Sequence, residues 1–146
     1  ARFVRSAIEA ETVRTACERL TDDDIKTLDA ILDGQRRAIE AKDAEAFHEL
    51  DDQFHREICE RSGLGFAWDL IRENKAHMDR VRFLSLSFGS QHAYDDHVEV
   101  MEAIRSRDIQ KAVALMRKHL SRILEQLPRI RSEHSEFFAG DPDLDA

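Results

Sequence analysis

Apolar residues recur at helical spacing along almost the whole chain and fall into six segments separated by short polar turns. The first, residues 2 to 20, carries Val4, Ile8, Val13, Ala16, Cys17 and Leu20. Thr21-Asp22-Asp23-Asp24 then sets a hydroxyl cap and three carboxylates against the positive end of a second helix. That helix bears Ile25, Leu28, Ile31, Leu32, Ala38 and Ile39, tolerates Gly34 and fades at Ala41-Lys42. Asp43 caps a third helix with Phe47, Leu50, Phe54, Ile58 and Cys59, closed by Ser62-Gly63-Leu64-Gly65. A fourth is predicted over residues 66 to 86, covered on two sides: Trp68 and Ile71 on one, Leu70, Val81 and Leu84 on the other. Phe88-Gly89-Ser90-Gln91 reads as a loop, and residues 92 to 105 as a fifth helix with Val98, Met101 and Ile104. Asp108 caps a long sixth helix from Ile109 to Leu127, which Pro128 is expected to kink or end. Residues 139–146 read as an acidic tail. The pattern predicts an all-α antiparallel bundle.

Composition sharpens this. Five Gly, two Pro and 36% charged residues suit helices with short turns rather than a sheet. The formal charge of −8 argues against this chain gripping nucleic-acid phosphates or anionic lipid by itself. No apolar run approaches the roughly 20 residues of a membrane span, and no signal peptide opens the chain. Cys17 and Cys59 are far apart and read as buried thiols of a reducing compartment, the cytoplasm. The compositional excess is in histidine, with seven.

Polar residues that share a stripe with core residues carry the candidate chemistry. Asp51 and His55, four apart, lie on one face flanked by Phe47, Phe54 and Ile58. His97 sits with Met101 and Ile104, and His119 with Ala112, Leu115, Met116 and Ile123. With a turn at Arg107-Asp108, both stand roughly 15 Å from it and meet at one height across an antiparallel hairpin. Three imidazoles and a carboxylate suit zinc, with nickel or manganese as alternatives. The same spacing also fits a solvated Asp51/His55 pair and hydrogen-bonded core histidines, so it leaves the choice open. His48, His92 and His134 have no such arrangement, and His77 is a reserve ligand. Asn74, between Ile71 and Met78, and Arg5, three before Ile8, could face the same interior or make interhelical hydrogen bonds.

Arg5-Ser-Ala-Ile-Glu9, Asp51-Asp-Gln-Phe54-His55, His97 followed by Ala103-Ile104, and Met116-Arg-Lys-His119-Leu120 together resemble the FCD domain. This is the effector-binding and dimerisation domain of FadR-subfamily GntR transcription regulators. The resemblance runs from about Arg5 to Leu127. It implies a bundle of six or seven helices with a central pocket for a divalent metal and effector, filling residues 1–138 as one domain. It implies Asp51, His55, His97 and His119 as metal ligands. A small carboxylate effector (a hydroxy, sugar or dicarboxylic acid) would bind beside the metal and pair with Arg5. Asn74 joins the effector residues on the strength of its helix face alone. A homodimer is expected, as is contact with DNA only through an N-terminal winged helix-turn-helix domain, of which these residues show no trace. One departure is Leu64, where the family often has Asn after Ser-Gly; it touches no proposed ligand. The rival readings are a metalloenzyme acting on small organic acids, which lacks a general base tied to the metal by spacing, and a purely structural dimerisation module.

Overall fold

The computed structural model describes residues 2–76 and 79–133, with side chains described for 3–76 and 89–122. Six helices follow one another: α1 (Arg2–Arg19), α2 (Asp22–Glu40), α3 (Ala44–Arg61), α4 (Gly65–Lys75), α5 (Asp79–Arg105) and α6 (Ile109–Glu133), with no strand among the described residues. The all-α bundle expected from the periodicity is what the chain forms. The expected acidic tail, His134 and His77 lie outside the described residues.

Three turns share one construction. After α2, α3 and α5 a residue with positive φ (Lys42 at 56°, Gly63 at 79°, Arg107 at 60°) closes the helix. The amides on either side of the closing bond then return to the last turn: Lys42 to Ile39 and Asp43 to Ala38, Gly63 to Glu60 and Leu64 to Cys59, Arg107 to Ile104 and Asp108 to Ala103. This double bond satisfies carbonyls that a helix end otherwise leaves bare. Asp43 and Asp108 end one helix and start the next, since their carboxylates accept the amides of Ala46 and Lys111. Leu64, at the corresponding place before α4, makes no side-chain cap bond. Thr21 starts α2 in a full capping box with Asp24.

Only one of the two non-glycine residues at positive φ does a second job. The Arg107 guanidinium donates to the carbonyls of Cys17 and Leu20, at 2.8 and 2.7 Å, so the α5–α6 turn closes the end of α1. Lys42 has no such contact among those described, so Lys42→Gly is expected to stabilise the fold by about 0.5–1 kcal/mol through backbone relief alone. Arg107→Gly gains the same relief but gives up two charged donors, for a net loss of about 1 kcal/mol or more. Urea unfolding of both variants checks the opposite signs.

The main core gathers Val13 and Cys17 of α1 with Leu20 just after it, Leu28 and Ile31 of α2, Phe54 and Ile58 of α3, Met101 and Ile104 of α5, and Met116 of α6. α1 packs chiefly on α6, α2 on α3, and α5 on α6, so α3, α5 and α6 converge on the middle of the bundle. Both cysteines are free and buried, as expected, Cys17 in this core and Cys59 in a smaller cluster with Trp68 and Ile71, and burial pushes the Cys59 thiol up to about 12. Val4, placed on the first stripe by its spacing, is exposed instead.

The helix boundary in the middle of the chain differs from the one expected. α4 ends at Lys75, and α5 runs unbroken through the Phe88–Gln91 stretch read as a loop. A single glycine inside a long helix costs only about 1 kcal/mol, too little to break one that packs along α6. No glycine or proline stands at Lys75 or just after it, where α4 ends. α4 is also covered less than expected, with Phe66 and Leu70 exposed. α6 continues past Pro128 to Glu133, so the proline does not end it.

Candidate metal centre

The convergence of α3, α5 and α6 brings together the four residues singled out from spacing. Asp51 and His55 lie one turn apart on α3, and the α5–α6 hairpin sets His97 opposite His119. All four are buried. One donor atom from each lies within 4.8 Å of the other three. His97 Nε2 stands 3.1 Å from His119 Nε2 and 3.2 Å from Asp51 Oδ1, and His55 Nε2 stands 3.5 Å from the same Oδ1. Donors about 2.0–2.2 Å from a shared centre are spaced roughly 3.0–3.5 Å apart, so the set has the dimensions of a coordination shell.

The far nitrogen of every ring is held. His55 Nδ1 bonds Glu9 Oε1, His97 Nδ1 bonds Gln35 Oε1 at 2.8 Å, and His119 Nδ1 bonds Asp96 Oδ2 at 2.9 Å. The Gln35 amide is itself oriented, because its Nε2 donates to the Leu50 carbonyl at 3.1 Å. Its oxygen must therefore be what faces His97. Two carboxylates and an amide oxygen can only accept, which puts a hydrogen on Nδ1 of each ring and leaves each Nε2 as the nitrogen turned toward the cluster.

Electrostatics agree. Burial would raise the Glu9 carboxyl, but His55 and Arg5 hold it well below the usual range. Burial also acts to raise Asp96, yet His119 and Arg122 bring it down to about 2. Both groups are anionic acceptors at neutral pH. Burial and the neighbouring His119 press the His97 pKa down to about 3 against the pull of Asp51, so this ring is neutral. The neutral His97 ring thus turns its Nε2 toward His119 Nε2 at 3.1 Å and toward Asp51 Oδ1 at 3.2 Å. A cation between these atoms would be held by all of them at once. The residues fit a divalent metal.

A model of the FCD domain matches residues 2–122. The chain belongs to the FCD domain family. Its relatives include the HTH-type transcriptional repressor RspR of Escherichia coli (strain K12), 35% identical over 141 residues, which are 95% of this chain and 62% of that protein. The Nta operon transcriptional regulator of Aminobacter aminovorans is 25% identical over 143 residues, 96% of this chain and 66% of that one. Among solved structures, E. coli McbR/YncC shares the fold at a TM-score of 0.72 and 20% identity, over 89% of this chain and 65% of that chain. The chain thus spans 62% of the length of RspR. The family and these relatives are transcription regulators, not enzymes, which removes the metalloenzyme reading.

Within this FCD domain the other candidate residues fall as follows. Arg5 is buried at 8% exposure and ion-paired through Nε to Glu9, while its Nη2 is buried without a hydrogen-bond partner. Burial works against the Arg5 charge, but Glu9 and the Asp51/Asp52 pair more than offset it and raise its pKa. Asn74 is half-buried, and its Nδ2 donates to the Leu70 carbonyl one turn back at 2.8 Å. His48 lies half-buried 3.9 Å from Asp52, and His92 is exposed. No described contact joins Asn74 or His92 to the four-residue cluster.

Spacing alone missed Glu9, Gln35 and Asp96, the three residues that orient the rings. A signal existed. Glu9 precedes Val13 and Ala16 on a helical stripe, Gln35 lies between Ile31 and Ala38, and Asp96 stands four before Val100, so each is polar where the face is apolar. Outer partners of this kind commonly contribute 10–100-fold to metal affinity. Asp96→Ala is therefore expected to weaken metal binding by about that factor and to remove the two bonds of 2.6 and 3.0 Å that Arg122 makes to Asp96. Competition against a chromophoric chelator measures it.

Proposed function

We propose that this FCD domain is the sensor of a DNA-binding transcription regulator, and that it holds one divalent metal on Asp51, His55, His97 and His119 as the anchor for a small carboxylate effector. The observation that carries the reading is the convergence of three imidazole Nε2 atoms and one carboxylate oxygen in a buried site whose outer nitrogens are all satisfied. Three imidazoles and one carboxylate favour zinc, with nickel and manganese next. A divalent ion there supplies positive charge and open coordination for an anionic oxygen.

The chain's own residues do the rest. Arg5 Nη2, buried and unpartnered, is the donor available to an incoming carboxylate, and the guanidinium cannot shed its charge to escape the cost of burial. Asn74 is the second effector residue proposed, and reaching an effector requires it to give up the Leu70 carbonyl. DNA contact belongs to a helix-turn-helix part of the protein, as the names of the HTH-type relatives suggest, and effector binding would shift how two such parts are held in a homodimer. A cytoplasmic setting, where DNA is within reach, belongs to the same reading. Among the described residues no helix is long and apolar enough to cross a membrane.

Thermal melts with a panel of hydroxy, sugar and dicarboxylic acids test the reading. At least one acid is expected to stabilise the metal-loaded protein and to lose that effect when the metal is stripped. Stabilisation by none of them, loaded or stripped, would leave a structural helical module instead.

A further inference from the structure

Glu9 is the one residue that touches both halves of the proposed site. It projects from α1, is 1% exposed, and divides its carboxylate: Oε1 accepts from His55 Nδ1 and Oε2 accepts from Arg5 Nε. No other described side chain contacts a member of the metal cluster and the buried arginine at once. We propose that Glu9 is a positioning residue of the metal site and the link through which Arg5 and the metal sense each other. This rests on the metal reading above and adds a partner for it.

The physical case has three parts. A carboxylate accepting from the outer nitrogen of a ligating imidazole fixes the tautomer and the ring plane, and increases the basicity of the inner nitrogen. The same carboxylate is shared, so whatever Arg5 draws from it is withdrawn from His55. An anion that engages Arg5 Nη2 competes with Glu9 for the guanidinium charge, leaves more of the Glu9 charge for His55, and so strengthens the hold on a metal. Linkage makes the effect reciprocal: a bound metal makes Arg5 a better anion receptor by the same factor. The route is short and contiguous, Arg5 to Glu9 to His55, within hydrogen-bond reach at each step. Neither of the other two rings reaches Arg5 through a described bond. Gln35 behind His97 is neutral and donates to the Leu50 carbonyl, and Asp96 behind His119 is shared with Arg122, a different arginine on α6.

The test is a double-mutant cycle on metal affinity, using Arg5→Gln, Glu9→Gln and the pair in the full chain, with Zn2+ alone as probe and a competing chelator as readout. Glu9→Gln is nearly isosteric, and circular dichroism checks that each variant is folded. Glu9→Gln is expected to weaken zinc binding by about 10–100-fold. Arg5→Gln touches no ligand, yet it is expected to strengthen zinc binding several-fold when Glu9 is intact and to change it little when combined with Glu9→Gln. Long-range proton–nitrogen NMR of the zinc-loaded, unsubstituted protein needs no variant: His55 should carry its hydrogen on Nδ1, with a strongly downfield proton. Zinc affinity unchanged by Glu9→Gln, an Arg5→Gln effect equal with and without Glu9→Gln, or a His55 bound through Nδ1 would each overturn the link while leaving the metal site standing. Failure of the unsubstituted protein to bind zinc at all would overturn both.

Discussion

Alanine in place of His97 or His119 is expected to cost the protein at least a hundredfold in metal affinity. Structural zinc sites of four ligands carry about 10–16 kcal/mol, so one ligand accounts for roughly 3 kcal/mol, near two orders of magnitude. His97 should show the larger loss. Its Nε2 lies 3.1 and 3.2 Å from two other donors, and its ring lies tilted against Phe54 with centroids 4.4 Å apart, so it is the donor with the closest neighbours at the middle of the set. His48→Ala, which removes a half-buried ring 3.9 Å from Asp52, is the matched control and should retain the metal. Equal retention in all three variants would dismiss the site as drawn.

Stripping the metal is the second large effect. An ion at a thousand times its dissociation constant adds about 4 kcal/mol to stability. For a domain of this size that corresponds to roughly 10 °C or more in Tm, reversed by adding back zinc. The size of the shift should depend on pH. Burial opposes a charged His55, but Glu9 and Asp51 prevail and raise its pKa, so a proton on that ring stabilises the metal-free fold. That contribution is complete below the ordinary histidine pKa of about 6.5 and is lost as pH rises through the raised value. His97 acts in the opposite sense. With its pKa depressed to about 3, the unfolded chain binds the extra proton, and stability is lost as pH falls from about 6.5 toward 3. Metal must displace the His55 proton, so the zinc-induced rise in Tm is expected to be larger at pH 8 than at pH 6. A rise that is larger at pH 6 would contradict the assignment of His55 as a ligand.

These effects rest on features that were unequally visible in the amino-acid sequence. Local signals transferred well: Thr21, Asp43 and Asp108 cap helices because a short polar side chain satisfies bare amides whatever the surrounding fold. The pairing of His97 with His119 was legible because equal distance from a tight turn fixes equal height in a hairpin, and the turn at Arg107 was marked by charge and by Asp108. The α4–α5 boundary was not legible. Gly89 offers a stronger local excuse for a break than Lys75-Ala76, and only packing along the bundle decides between them. Glu9, Gln35 and Asp96 were hidden for another reason. Among 30 acidic residues an individual carboxylate attracts no attention, and their meaning arises from helices that meet in space across as many as 62 positions. Asn74 shows how little a face-based argument says about bonding partners. One helix face fixed its direction, but the carbonyl it bonds belongs to its own helix.

Native mass spectrometry of the protein as purified, with elemental analysis of the same sample, tests the central claim most directly. One divalent ion per chain, lost on acidification and regained with zinc, is the result expected of Asp51, His55, His97 and His119 acting together. A protein that carries no ion and takes up none from zinc, nickel or manganese would contradict it.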